Sequence, residues 1–253
     1  MMYKLDLSGK KAIVTGGTRG LGLGMAEGLL EAGAEVLIIG SSNKAAEVAA
    51  TLNKGEAKCH GLAIDLADAA ARAEGFEKAV SMLGGDLDIL VNCAGVQSRH
   101  ASEEFPLEDW QWVLEVNLNA VFDFCQRAAK VMLPKGKGKI INIASLLSFF
   151  GGFTVPAYAA SKGGVMQLTK ALSNEWASKG INVNALAPGY MATDMNTALL
   201  ADEGRNAEIT ARIPAKRWGN GEDMKGPLVF LASPASDYVH GVTLPVDGGY
   251  LGR

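Results

Sequence analysis

Hydrophobic positions along this chain follow two alternating patterns. Short, nearly continuous runs of Val, Ile and Leu read as strands buried on both faces, at residues 11–15, 35–39, 57–64, 87–92, 139–144, 181–186 and 242–246. Between them lie longer stretches with apolar residues three and four apart. These predict helices over 21–32, 44–52, 67–82, 107–133, 157–178 and 222–232. Strand followed by helix, repeated along the chain, implies right-handed crossovers and a parallel sheet with helices on both sides. No linker, low-complexity tract or internal repeat breaks the pattern. Residues 1–253 are therefore expected to form one doubly wound α/β domain with a seven-stranded parallel sheet, and a substrate lid around 190–215.

Composition narrows the classes. Apolar residues make up 48% of the 253 and charged residues 20%, which rules out disorder. The net charge of −3 offers no basic field for a polyanion, so no nucleic-acid partner is expected. Cys59, Cys93 and Cys125 are odd in number and show no CxxC spacing. They read as buried thiols in a reducing cytoplasm, with neither a disulfide framework nor a metal site. The N-terminal segment lacks an apolar core of signal-peptide length. Residues 140–161 form an uncharged stretch of 22, but Asn142, Gly151, Gly152 and Pro156 break it, so no membrane span is expected.

Glycine is enriched, at 31 of 253. The densest cluster, TGGTRGLG at residues 15–22, lies between the first strand and the first helix, the context of a Rossmann dinucleotide site. Gly16 permits a tight turn, Gly20 lets the backbone approach a pyrophosphate, and Gly22 lets helix and sheet pack closely. The helix N-terminus then presents free N–H groups to phosphate. Thr18, Arg19 and Leu21 belong to the same loop. After the second strand stand Gly40, Ser41, Ser42 and Asn43, with no carboxylate to bind ribose hydroxyls and repel a 2′-phosphate. Arg19 is placed to meet such a phosphate, or to stand as a solvated loop side chain. Charge alone therefore tips NAD(P) toward NADP. Asp65, with Leu66 after it, follows the third strand. Its carboxylate can accept from an adenine amino group or cap the next helix.

Tyr158 is the one tyrosine with lysine four places on, in YAASK, so on a helix the phenol and the Lys162 ammonium share a face. A neighbouring cation is expected to lower the phenol from its ordinary pKa and fit it for proton transfer. Ser145 ends the fifth strand, where ligands of an open parallel sheet bind. Asn117 lies in an otherwise apolar helical stretch, EVNLNAVF, and a buried amide needs partners. It is either a satisfied core residue or part of a water relay toward Lys162. The uncharged stretch thus becomes a buried strand, a cleft wall at 146–155 and the start of the Tyr158 helix.

With these residues in view, the chain resembles a classical short-chain dehydrogenase/reductase from end to end. The matches are TGGTRGLG, NCAG at 92–95, Asn117, Ser145, YAASK, APG at 187–189 with Thr193, and VDGGY at 246–250. The resemblance implies hydride transfer with NAD or NADP, a tetrad of Asn117, Ser145, Tyr158 and Lys162, and Tyr158 as acid/base, with Lys162 also on the nicotinamide ribose. It implies coenzyme contacts at Asn92, Ala94 and Gly95 on the adenosine side, and at Pro188, Gly189, Met191 and Thr193 on the nicotinamide amide. Cys93 departs from the family, which usually has a second Asn there.

NIASLLSFFGG, NEWASKGINVNALAPGYMATDM, RIPAKRWG and SDYVHGVTLPVDGGYLGR are similar to the branch that interconverts keto and hydroxyl groups of deoxy sugar acids. Many members of that branch use NAD, so the coenzyme stays open between NAD and NADP. The alternatives are a 3-oxoacyl-carrier-protein reductase, a gluconate 5-dehydrogenase and a non-enzymatic dinucleotide-binding scaffold. A sugar acid needs a cation for its carboxylate. Arg99, His100 and Arg217 are the candidates, beside Ser145 and Tyr158. A cytoplasmic homotetramer is expected. Phe122, Phe124 and Trp176 lie either between subunits or in the subunit core, and the tail at 250–252 is placed to cross to a neighbour.

Overall fold

The computed structural model describes residues 5–53 and 58–253. Its strands are β1 (Lys11–Thr15), β2 (Glu35–Gly40), β3 (Cys59–Ala63), β4 (Ile89–Asn92), β5 (Gly138–Ile143), β6 (Ile181–Pro188) and β7 (Thr243–Val246). All neighbours pair in parallel, in the order β3-β2-β1-β4-β5-β6-β7. The sequence-predicted strands match these elements with ends shifted by a few residues. The first residue expected in the third strand, Ala57, lies outside the described residues.

Helices α1 (Gly20–Glu31), α2 (Lys44–Leu52), α3 (Ala69–Met82), α4 (Leu107–Leu114), α5 (Ala120–Met132), α6 (Pro156–Trp176), α7 (Thr197–Ala201), α8 (Glu203–Arg212) and α9 (Gly221–Ala232) flank the sheet. Alternate strand residues feed two cores. Ile13, Leu37, Leu90, Ile140 and Val183 pack with α3, α5 and α6. Ala12, Val14, Val36, Ile89 and Ile141 pack with α1 and α9. Burial on both faces explains why the strand sequences are continuously apolar.

Several expectations need correction. The helix at 107–133 is interrupted by a π-helical turn at Glu115–Asn119, which separates α4 from α5. Asn117 lies inside that turn, buried. A π turn adds a residue that no 3.6 periodicity predicts, and such turns concentrate at functional sites. The third helix begins at Ala69, not at 67, because the Asp68 carboxylate caps it with bonds of 2.7 and 3.1 Å from Ala70 and Ala71 N–H. The segment at 190–215 carries α7 and α8. Phe124 and Trp176 are buried in the subunit's own core, Phe124 edge-on to Phe76 at 5.3 Å. Phe122 is exposed. The tail does not reach away: Tyr250 is buried within the same subunit and stacks on Phe150 at 5.9 Å. Among the described residues no helix is long and apolar enough to cross a membrane.

Candidate active site

The strand order changes direction between β1 and β4. The crevice outside the strand C-termini at that point is where such sheets take ligands. There the Thr15 hydroxyl accepts from the N–H groups of Cys93 and Ala94 at 3.0 and 3.1 Å, locking the two strand ends together. Gly16 (φ +69) and Gly20 (φ +54) take left-handed backbone. A Cβ at Gly16 would meet the Ala94 backbone at 2.8 Å, and one at Gly22 the Gly16 carbonyl oxygen at 2.1 Å. At Gly20 a Cβ would meet nothing nearer than Thr193, at 3.5 Å. The loop is therefore tight on its protein side and open toward Thr193, as a dinucleotide pyrophosphate at the α1 N-terminus requires.

The other residues expected at the coenzyme are placed unevenly. Thr18 lies against Gly40 at the end of β2, and Leu21 continues into α1. Ser41 and Ser42 are exposed just beyond β2. Arg19 pairs with Asp194 at 3.2 Å, joining the glycine loop to the 190–215 segment, but both side chains are solvated and the pair is weak. Asp65 accepts from Ala67 N–H at 2.9 Å, leaving its second oxygen unused by that turn, and Leu66 follows it. Asn92 points into the core, donating to Asn142 at 2.9 Å and to Cys125, so only its backbone can serve a coenzyme. The Met191 side chain is likewise buried. Ala94, Gly95, Pro188, Gly189 and Thr193 border the crevice. Burial pushes the Cys93 thiol up to about 11, so it is protonated at neutral pH.

The residues of the expected tetrad converge. Ser145 begins a turn it caps itself: its oxygen accepts from Leu147 N–H at 3.1 Å, and Ser148 accepts from Ser145 N–H at 3.2 Å. The Ser148 hydroxyl also donates to the Lys162 carbonyl at 2.7 Å, fixing this turn to α6. The Asn117 amide accepts from Val96 N–H at 2.8 Å, and donates to Val96 O at 2.9 Å and Ser161 at 3.2 Å. Ser161 in turn donates to the Tyr158 carbonyl at 2.8 Å. A Cβ on Gly95 would lie 3.5 Å from Asn117 Oδ1 and 3.8 Å from Lys162 Nζ, so both residues border the same point. Both amide donors of Asn117 are used within the protein. Ser148 and Ser161 escape the sequence reading, although Ser145-x-x-Ser148 has capping-box spacing.

One electrostatic expectation fails. Burial is the main influence on the Tyr158 phenol and pushes it up; the hydrogen bond with Ser145 pulls it down. Lys162 exerts no comparable pull. Its ammonium is buried, lies 5.7 Å from the Tyr158 ring centroid, donates to Ile143 O at 2.6 Å, and is itself drawn down to about 8 by desolvation. Low dielectric penalises both charged forms, and the spacing in YAASK does not reveal it.

Beyond Tyr158 opens a cleft of about 580 Å³, bounded by Gln97, Arg99, residues 145–147 and 150–155, Pro188–Tyr190, α7, α8 and the tail. The wall expected at 146–155 is thus in place. Arg99 lines it; His100 and Arg217 do not. His100 is held by Asp109 at 2.7 Å, and Arg217 by both oxygens of Asp223 at 2.8 and 2.6 Å. Each of these side chains is taken by a local carboxylate, which one-dimensional spacing cannot show. Arg205, Arg212 and Arg253, not foreseen from the sequence, also line the cleft.

Residues 10–204 match the family pattern described as short chain dehydrogenase. A 2-dehydro-3-deoxy-D-gluconate 5-dehydrogenase of Escherichia coli (strain K12) is 49% identical over 254 residues, covering 100% of both chains. A crystal structure of a candidate 2-deoxy-d-gluconate 3-dehydrogenase from Agrobacterium tumefaciens with bound NADP is 50% identical, with a TM-score of 0.92 and 99% of each chain covered. Another, of a candidate NAD(P)-dependent gluconate 5-dehydrogenase from Beutenbergia cavernae with NADP at low occupancy, is 47% identical. Its TM-score is 0.95, over 99% of this chain and 100% of that one.

Proposed function

The chain belongs to the short-chain dehydrogenase family, and from that premise we propose that it moves a hydride between NAD(P)(H) and a keto or hydroxyl group of a deoxy sugar acid of the 2-dehydro-3-deoxy-D-gluconate or 2-deoxy-D-gluconate type. The observation that carries the substrate class is the cleft next to Tyr158, where four arginines face one glutamate in a chain of net charge −3. A local field of that sign gathers carboxylates. Full-length identity of 49% to an enzyme named for such a substrate supports the same reading.

The bound coenzyme would give or take the hydride at its nicotinamide ring. The glycine loop would cradle its phosphates, with Arg19, Ser41 and Ser42 near the ribose and Asp65 near the base. Lys162 would hold the nicotinamide ribose, and the 188–193 segment the carboxamide. Tyr158 would give its phenolic proton to the substrate oxygen in reduction and recover it in oxidation. Ser145 would donate a hydrogen bond to that same oxygen. Because both Asn117 side-chain donors are occupied, a proton relay from Asn117 to Lys162 would leave through its π-turn backbone. Residues around 190–215 would close over the substrate as a lid.

The test is a dehydrogenase assay with a panel of sugar acids, each run with NAD and NADP. Turnover of 2-dehydro-3-deoxy-D-gluconate or 2-deoxy-D-gluconate ahead of gluconate is the expected result. Preference for gluconate would replace this reading with gluconate 5-dehydrogenase, the name carried by the Beutenbergia relative. Activity on none of the sugar acids would refute it.

The proposal extends to a cytoplasmic homotetramer. Three free cysteines suit a reducing compartment. Leu107, Trp112 and Phe122 leave apolar surface exposed on α4 and α5 that another subunit would cover. Light scattering should give about four times the chain mass of 26.5 kDa. A single-chain mass would contradict the assembly.

A further inference from the structure

We propose that Arg212, at the end of α8, is the residue that holds the substrate carboxylate, held in place by the ring of Tyr250. The proposal rests on the sugar-acid reading and assigns the group that recognises the acid.

Four guanidinium groups line the cleft, and three have polar neighbours within the protein. The Arg99 Nε and Nη2 atoms both lie 2.7 Å from the Gln97 side-chain oxygen, in the amide orientation that satisfies both residues. Arg205 stands 3.7 Å from Glu208 on the same helix. Arg253 donates to the carbonyls of Ala211 and Arg212 at 3.3 and 3.4 Å. Among the described residues the Arg212 guanidinium has no carboxylate or carbonyl partner. Its central carbon lies 4.9 Å from the Tyr250 ring centroid. A guanidinium over an aromatic face keeps its charge, and its N–H donors point out at the rim in a fork that matches a carboxylate.

The platform is fixed relative to the reacting centre. Tyr250 is buried and packs against Phe150 and against Tyr190, at 5.9 and 5.4 Å. Tyr190 directly follows Pro188 and Gly189 at the end of β6, the strand end next to Ser145. An aromatic row thus ties Arg212 to the strand end where the nicotinamide is expected. Burial pushes the Tyr190 hydroxyl up, and the charges of Arg212 and Arg205 pull it down, so both guanidinium groups lie within electrostatic reach of the Tyr190 ring. Arg205 adds to the field, but Glu208 offsets its charge. Arg212, Ser145 and Tyr158 line the same cleft, the arrangement that a substrate with a carboxylate at one end and its reacting carbon along the chain requires.

Two measurements on the full-length protein decide it. The first is kinetic. Arg212→Ala should raise KM for 2-dehydro-3-deoxy-D-gluconate at least tenfold, with kcat reduced less than threefold. Arg212→Lys should recover most of the loss, and Arg212→Gln should not. The second is calorimetric titration of the NADP-loaded protein with tartrate, a hydroxylated dicarboxylate. Arg212→Ala should weaken this binding at least tenfold. Coenzyme affinity and melting temperature, measured on every variant, report folding. KM and tartrate affinity within twofold of wild type in Arg212→Ala would overturn the proposal. So would a loss seen only in Arg99→Ala, or no tartrate binding by the wild type. Failure of the wild type to turn over any sugar acid would strike the functional reading instead, and the tartrate titration would still judge Arg212.

Discussion

Tyr158→Phe should reduce turnover by about 10²–10⁴-fold, the usual contribution of a positioned acid/base, while coenzyme affinity stays within threefold. The substitution removes one oxygen and keeps the ring, so α6 and its contacts through Ser161 and Ser148 stay in place. What disappears is the proton that must reach the substrate oxygen as hydride arrives. Ser145 can hold that oxygen but has no pKa suited to the exchange. The electrostatics of the pair add a pH signature. Reduction needs a neutral phenol to give the proton and a charged Lys162 in its proposed role on the nicotinamide ribose. Burial keeps the phenol protonated well into the alkaline range, whereas Lys162 loses its proton around pH 8. Below that value its charge is present; above it the charge is lost. In the wild type kcat/KM for reduction should therefore fall above about pH 8, while oxidation, which needs the phenolate, should gain as pH rises toward 8, where Lys162 still carries its charge. Steady-state profiles from about pH 6 to 10 in both directions check this. A reduction rate flat to the alkaline end would remove Lys162 as the supporting cation, and near-wild-type activity in Tyr158→Phe would remove Tyr158 as the proton donor.

Gly22→Ala should cost coenzyme affinity at least a hundredfold and lower stability by about 1–3 kcal/mol, the range for overpacking a tight site. The added methyl would sit 2.1 Å from the Gly16 carbonyl oxygen and 2.8 Å from its carbon. Both are backbone atoms of the turn that shapes the pyrophosphate cradle, so no side-chain rotation relieves the clash. Either the turn opens or the start of α1 moves off the sheet, and in both cases the N–H groups no longer converge on a phosphate. Gly163→Ala, in α6, is the control. A Cβ there meets nothing within 4 Å, its φ is not positive and no proline follows it, so stability should hold or rise slightly. Coenzyme fluorescence titration and thermal melts separate the two outcomes. Wild-type binding by Gly22→Ala would show that the close approach is dispensable.

How far the sequence reached depends on the range of the physics involved. The strands were legible because burial on both faces writes continuous apolar runs. The coenzyme loop was legible because glycine is demanded by local backbone shape. YAASK was legible because i and i+4 share a helical face whatever the surroundings. The π turn at Asn117 was not, because one extra residue in a helix leaves no mark in an apolar period. The pairings of His100 with Asp109 and Arg217 with Asp223 were within reach, at nine and six residues of separation. They were missed because neither spacing corresponds to a helical or strand neighbour.

By itself, then, the sequence determined the sheet, the glycine-rich crevice and the side chains proposed to react, since each depends on interactions within a few residues or on burial averaged over a segment. Only the tertiary structure decided which cations face the cleft and what charge the phenol and ammonium carry. Those outcomes depend on distance and dielectric between segments far apart in the chain. Lys162 and Arg212 are each surrounded by groups that the linear order scatters, and both desolvation and ion pairing are settled by whichever groups folding brings close.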